Sequence, residues 1–397
     1  MKYDFDRIID RKNTYSEKWK VRANELPMWA ADMDFETAPE IKEAMIKRVN
    51  HGIFGYTYVP DEWYDAYINW WDRRYEYMME KESLMFCTSI VPAITNIIKK
   101  LTNAGDGVII MTPIYNAFAT SIISSGRVVK ECPLKYIEDP LFALDSPHSG
   151  ASNGHYEVDW DLFESLCKDE KNNLLIFCNP QNPTGTLWCR KELERIGEIC
   201  SKYGVVVISD EIHCDLTVPY VNYTPFARVN EVNKNISIMC ISPTKTFNLA
   251  GLFTSAVSVA NKKLREKVFD ALYLREIGMP NPISIEATIA AYNYGEVWLD
   301  ELRKYIYKNV EYVRDYILQN FDNIKVVPSV ATYLVWIDIS GLGDGAYAFA
   351  KRLRDKTGLW VIDGETYGTG GKNHIRLNVA APRSVVEDAM NRLKEVL

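Results

Sequence analysis

Between Ser83 and Ala260 six short apolar runs alternate with stretches of helical period: Gly107 to Met111, Val128 to Cys132, Leu174 to Cys178, Val205 to Ile208, Ile236 to Ile241 and Thr254 to Val259. That alternation is the signature of a mostly parallel sheet covered by helices. The stretch Lys191 to Tyr203 puts Leu193, Ile196 and Cys200 on one face and stops at Gly204, as a crossover helix with a glycine cap should. Polar Lys135 to Asp159, with its Ser-Pro-His-Ser-Gly-Ala-Ser-Asn-Gly stretch, reads as an exposed loop. Open sheets of this kind bind ligands beyond the carboxyl ends of their strands. The residues that follow the runs are therefore the ones to inspect.

Three of the runs end in polar signals. Leu174 to Cys178 leads into Asn179-Pro180-Gln181-Asn182-Pro183-Thr184-Gly185, Val205 to Ile208 into Ser209-Asp210-Glu211-Ile212-His213, and Ile236 to Ile241 into Ser242-Pro243-Thr244-Lys245-Thr246-Phe247-Asn248. Taken singly, these are ordinary turn signals and solvated strand ends. Together they suit pyridoxal 5'-phosphate (PLP). A lysine against a low-dielectric wall, Lys245, holds the aldehyde. A carboxylate, Asp210, faces the pyridine nitrogen and keeps the ring an electron sink. Asn182, an amide held between two prolines, sits beside the ring hydroxyl oxygen.

Two further positions can be read from pattern. Ser89 precedes a helix whose face carries Ile94, Ile97, Ile98 and Leu101, so it is a natural N-cap, and the free amides of Ile90 and Val91 can receive a phosphate. In His374-Ile375-Arg376-Leu377-Asn378-Val379 the period of two buries Ile375, Leu377 and Val379 and turns Arg376 the other way, where its guanidinium fork suits a substrate carboxylate. A helix cap and a surface salt bridge are the plain alternatives.

A chain of 397 residues, 47% of them hydrophobic, can bury one large core and a smaller one. After about Pro280 the pattern changes to a helical stretch from Ser284 to Asn320, strands at Lys325 to Val327 and Tyr333 to Ile339, a helix near Tyr347 to Lys356, strands at Leu359 to Ile362 and Ile375 to Val379, and a last helix. The expected division is an N-terminal segment, residues 1–45, associated with the small domain and the cleft; a large cofactor-binding domain, residues 46–282; and a small α+β domain, residues 283–397. No stretch approaches a membrane span, and the charged start Met1-Lys2-Tyr3-Asp4-Phe5-Asp6-Arg7 lacks an apolar signal core, which suggests a cytoplasmic protein. None of the eight cysteines forms a C-x-x-C pair, so neither a disulfide framework nor a metal site is indicated. A net charge of −7 without a basic stripe argues against nucleic acid.

In the order and separation of Asn182, Asp210 and Lys245 the chain resembles the fold type I PLP enzymes, the aspartate aminotransferase superfamily. That resemblance implies a mostly parallel seven-stranded sheet between helices with a smaller C-terminal domain. It makes Tyr115 the aromatic stacked on the pyridine ring, where core packing would otherwise be the better reading. It also makes Arg376 the carboxylate ligand, and Tyr56 a phosphate ligand donated to the neighbouring subunit of a homodimer. Two positions depart from the aminotransferase pattern. Phe253 stands where many members carry an arginine for the phosphate, which leaves Ser242, the helix amides and Tyr56 to meet that charge. His213 stands where a tyrosine is common, and a neutral imidazole there could still bond the ring oxygen.

Both departures, with Met28-Trp29-Ala30-Ala31-Asp32-Met33-Asp34-Phe35, Gly52-Ile53-Phe54-Gly55-Tyr56-Thr57 and Ala381-Pro382-Arg383, are similar to the MalY/PatB-type carbon–sulfur β-lyases along essentially the whole chain. Asp32 and Asp34 are expected to line the cleft entrance rather than act as an acid/base pair, because side chains at i and i+2 diverge. The resemblance implies cleavage of L-cystathionine or a related S-substituted cysteine to a thiol, pyruvate and ammonia. A class I or II aminotransferase shares the early steps and is the alternative enzyme. A PLP-binding regulatory protein is the alternative of another class; it should carry an added winged-helix segment.

Overall fold

Apolar runs of four to seven residues become interior strands because both of their faces can be covered. In the computed structural model, which describes residues 2–138 and 154–397, seven strands lie side by side in the order Leu84–Cys87, Ser255–Ser258, Ser237–Ile241, Val206–Asp210, Asn172–Cys178, Gly107–Ile110 and Val128–Glu131. From Ser237–Ile241 to Val128–Glu131 the pairings are parallel. Ser255–Ser258 alone is reversed, antiparallel to both its neighbours. Six of these strands answer the six apolar runs. The seventh, Leu84–Cys87, answers none of the runs read from the sequence; it is four apolar residues set just before the helix start at Ser89.

Helices cover both faces. On one, Ile90, Ile94, Ile97 and Ile98 of helix Ile90–Leu101 are buried in a cluster with Val108, Ile110, Leu174 and Ile208, each side chain contributing about 2 kcal/mol of burial. On the other, Leu193, Ile196 and Cys200 of helix Arg190–Lys202 pack with Leu175, Phe177 and Val207. The chain leaves that helix through Gly204 at φ +72°, the left-handed backbone that favours glycine. A third cluster joins Trp63, Tyr67 and Trp70 of helix Asp61–Tyr75 to Tyr292, Trp298 and Phe247, two residues beyond Lys245.

The helical stretch expected from Ser284 to Asn320 is two helices, Pro282–Tyr294 and Glu296–Asn320. They break at Gly295, where a Cβ would lie 2.4 Å from Phe247 Cε1 and 2.6 Å from the Ala291 carbonyl. Beyond them Lys325–Val326, Leu334–Asp338, His374–Asn378 and Ile362–Asp363 form a four-stranded antiparallel sheet. The single strand expected at Leu359 to Ile362 is also two: Leu359–Trp360 leaves that sheet and pairs in parallel with Leu26–Pro27. The pairing draws the N-terminal segment onto the C-terminal part of the chain.

The stretch read as an exposed loop from Lys135 to Asp159 needs correction at both ends. Lys135–Glu138 and Gly154–Glu157 pair as antiparallel strands, with the Tyr136 and Tyr156 rings 5.2 Å apart across the pair. Cross-strand aromatic packing of this kind supports a ladder that polar composition hides. Its middle, 139–153, lies outside the described residues. Among the described residues no helix is long and apolar enough to cross a membrane.

Candidate active site

At the carboxyl ends of the parallel strands a cavity of about 380 Å³ is lined by Ser89, Ile90, Val91, Tyr115, Asn182, Asp210, His213, Lys245 and Arg376, together with Trp29, Ser255 and Tyr367. Nine of the eleven residues singled out in the sequence are thus brought together. Ser242 and Tyr56 are not. The Ser242 hydroxyl caps the short helix Pro243–Thr246 by accepting from the Thr244 amide at 3.1 Å and donates to the Thr254 carbonyl at 2.8 Å. Ser255, whose hydroxyl donates to that of Ser242 at 3.0 Å, faces the cavity in its place. Tyr56 is fully exposed, on an irregular segment with exposed Ile53, Phe54 and Tyr58.

Lys245 is held by its surroundings from two directions. Its helix is fixed by the Ser242 cap, and its Nζ donates to the Ala31 carbonyl at 2.6 Å. Burial, with the charge of Arg376, pulls its ammonium down to about 8, against the opposing pull of Asp32 and Asp210. Asp210 ends its strand, accepts from the Ile212 amide at 3.2 Å and is pushed up to about 7 by burial, with that amide and Lys245 opposing. A cation placed against it would bring the carboxyl back down. His213 is lowered to about 3 by burial and by the positive charges of Lys245 and Arg376, so it is neutral near pH 7. Its Nδ1 has no partner among the described residues.

Arg376 is 4% exposed. Its Nη2 donates to the Trp29 carbonyl at 2.8 Å and its Nη1 to Asn182 Oδ1 at 3.3 Å, while its guanidinium lies 5.2 Å from the Tyr367 ring. Because Oδ1 of Asn182 faces Arg376, the amide NH₂ is the end left for the cavity. Gln181 fixes the turn that presents Asn182, donating to the carbonyls of Met111 at 2.8 Å and Pro113 at 2.9 Å. At the other end, Ser89 occupies the N-cap of helix Ile90–Leu101 without a side-chain cap bond. Its hydroxyl and the amides of the first turn remain available to an anion. A lysine below its ordinary range, a carboxylate in the wall of the same cavity and a helix start with free amides are a residue set that fits PLP.

The segment from Trp29 to Phe35 closes one side. Asn378 Nδ2 donates to the carbonyls of Ala30 and, at 2.6 Å, Asp32. Asn248 Nδ2 donates to those of Met33 at 2.9 Å and Phe35 at 3.0 Å. Asp32 and Asp34 are engaged by Arg11 at 2.8 and 2.7 Å, and Asp34 also by buried Lys18 at 2.7 Å. They form a structural ion cluster beside the cavity. Sequence reasoning missed this cluster's basic half, and missed Trp29, Ser255, Tyr333 and Tyr367. Tyr333, fully buried, donates to the Ala31 carbonyl at 3.0 Å. None of these carries a local signal, since each matters only through a partner distant in the chain.

The family described as aminotransferase class I and II matches residues 24–393. The chain is 34% identical to cystathionine beta-lyase PatB of Bacillus subtilis (strain 168) over 99% of its own length and 100% of that protein. It is 30% identical to protein MalY of Escherichia coli (strain K12) over 97% and 96%. The structure of cystalysin from Treponema denticola, which contains PLP, superposes with a TM-score of 0.91 at 32% identity, covering 100% of this chain and 99% of that one. The strand order, the cavity and these matches agree: the chain belongs to the class I and II aminotransferase family and, within it, to the group that includes PatB and MalY.

Proposed function

We propose that this chain is a PLP-dependent carbon–sulfur β-lyase that cleaves L-cystathionine or a related S-substituted cysteine to a thiol, pyruvate and ammonia. The convergence of Lys245, Asp210 and Arg376 on one cavity carries the PLP chemistry, and the 34% identity to cystathionine beta-lyase PatB supports elimination over amino transfer. When bound, PLP supplies an aldehyde for the amino group and a ring that accepts the electron pair of the substrate α-carbon. Lys245 would hold the aldehyde, and its free amine is the group placed to take the substrate α-proton. With its ammonium drawn down to about 8, a useful fraction is neutral near pH 7. Asp210 would face the ring nitrogen, and Asn182 and neutral His213 would meet the ring oxygen. Tyr115, in the cavity wall, would cover the ring face.

Ser89 and the amides of Ile90 and Val91 would take the phosphate, with Ser255 beside them and Ser242 acting through it. Arg376 takes the substrate carboxylate in a bidentate pair. The exposed apolar segment with Ile53, Phe54, Tyr56 and Tyr58 supports a homodimer in which Tyr56 completes the phosphate site of the neighbouring subunit. Residues 46–282 are then the large domain and 283–397 the small one, with the N-terminal segment bridging them across the cavity. The enzyme acts in the cytoplasm, on a small-molecule thioether.

Pyruvate release from L-cystathionine by the PLP-loaded protein, with no keto acid added, tests the reading. Continuing release establishes elimination. Turnover only on addition of a keto acid would make the chain an aminotransferase instead.

A further inference from the structure

One deeply buried carboxylate outside the cavity ties together the elements that carry the site. Asp215 is 2% exposed and absent from the cavity wall. Its Oδ2 accepts from Thr246 Oγ1 at 2.8 Å. Its Oδ1 accepts from Trp70 Nε1 at 3.1 Å and from the Tyr75 hydroxyl, and Arg74 Nε lies 3.9 Å away. Thr246 ends the short helix in which Lys245 stands. Trp70, Arg74 and Tyr75 belong to the last turns of helix Asp61–Tyr75. Asp215 itself lies in the turn that carries His213, closed by bonds of 3.0 Å from the Cys214 amide to the Glu211 carbonyl and from the Leu216 amide to the His213 carbonyl.

Burying a carboxylate so completely is a poor route to stability, since apolar residues of the same volume do as well or better. Its gain is direction: a charged acceptor sets the position of each donor it binds more tightly than apolar packing does. Lys245 needs that. Its side chain is long and flexible, its amine must serve two positions in turn, and its helix is only four residues long. The Ser242 cap fixes the start of that helix and Asp215 fixes its end.

We infer that Asp215 is a positioning residue for Lys245, acting through the Thr246 hydroxyl and referenced to helix Asp61–Tyr75. The inference rests on the reading of Lys245 as the proton-carrying residue. Thr246→Val removes this one link and leaves the other donors on Asp215 in place; Thr246→Ser keeps the hydroxyl. In PLP-loaded protein acting on L-cystathionine, kcat for each chromophore-bearing site should fall about tenfold or more in Thr246→Val, as a displaced reacting group predicts. KM should stay near its original value because Arg376 is not part of the linkage, and Thr246→Ser should restore kcat.

A second readout needs no cofactor: in cofactor-free protein, the pH midpoint for acylation of the Lys245 amine should move in Thr246→Val and return in Thr246→Ser. Folded Thr246→Val with an unchanged kcat per site and an unchanged midpoint would overturn the inference. So would a loss of kcat that serine fails to rescue. Should Thr246→Val not fold, Thr246→Ala removes the same hydroxyl without an added methyl group, and unchanged values there would have the same meaning. Failure of the parent reading looks different, because Lys245→Ala would then keep its turnover.

Discussion

Arg376 Nη1 reaches Asn182 Oδ1 across 3.3 Å, so the residue read as the substrate's carboxylate ligand and the residue read as the cofactor's ring partner share a hydrogen bond. Arg376 comes from an antiparallel sheet near the C-terminus and Asn182 from the end of a parallel strand. Arg376→Ala should raise KM for the amino acid by about a hundredfold, as loss of roughly 3 kcal/mol from a charged bidentate pair predicts. Arg376→Lys should rescue little, because an ammonium cannot make the fork. Steady-state kinetics on both variants checks this, and an unchanged KM would place the carboxylate elsewhere.

Lys245→Ala should bind PLP without forming the covalent chromophore and should show no measurable turnover. The absorbance spectrum after addition of PLP and a pyruvate assay read the two effects separately. A variant that kept both would remove Lys245 from the mechanism.

In cofactor-free protein Asp210 should make stability depend on pH. Burial raises its carboxyl from the ordinary 3.8 to about 7 in the folded chain, so the folded state holds this proton more tightly than the unfolded one. Its stabilising contribution is full below pH 4 and is lost as pH rises through about 7, a swing of at most about 4 kcal/mol. Lys245 adds little slope over most of this window, since its folded-state ammonium, drawn down to about 8, begins to lose its proton only near pH 7. Melting temperatures of Asp210→Asn between pH 4 and 7 should therefore fall less steeply with rising pH than those of the parent; parallel curves would contradict the raised carboxyl.

Lys18 is 2% exposed and lies 2.7 Å from Asp34. Lys18→Met leaves two aspartates sharing the single charge of Arg11, with Trp19 Nε1 still donating to Asp34 at 2.9 Å, and removal of one partner from a buried pair costs about 3–5 kcal/mol. Chemical denaturation measures the loss. The same variant should bind PLP more weakly, because the segment that supplies the Ala31 carbonyl to Lys245 is no longer held.

The homodimer reading makes a complementation prediction. Tyr56→Phe and Lys245→Ala subunits, each impaired alone, should regain activity when unfolded together and refolded as a mixture. A hybrid dimer has one site with an intact Lys245 and an intact Tyr56 from its neighbour. No recovery would mean that each subunit supplies its own phosphate ligands.

Much of the architecture was legible because its signals are local. The runs ending at Cys178, Ile208 and Ile241 became adjacent parallel strands, and the residues just beyond them, Asn182, Asp210, His213 and Lys245, met in one cavity. Strand ends converge wherever a parallel sheet forms, so chain order suffices to place them. The four-residue strand Leu84–Cys87 and the hairpin around Tyr136 and Tyr156 were not legible. In both, pairing with a distant partner outweighs composition.

What the amino-acid sequence determined by itself was the sheet, the helices that cover it and the chemical types gathered at its edge, all of which follow from periodicity and from turns a few residues long. Tertiary structure decided the rest. That Ser255 rather than Ser242 faces the cavity, that the Ala31 carbonyl meets Lys245 and that Asp215 binds Thr246 depends on how separate segments pack. The physical reason is range: a hydrogen bond fixes position to a few tenths of an ångström, but only after burial has chosen which distant segments meet.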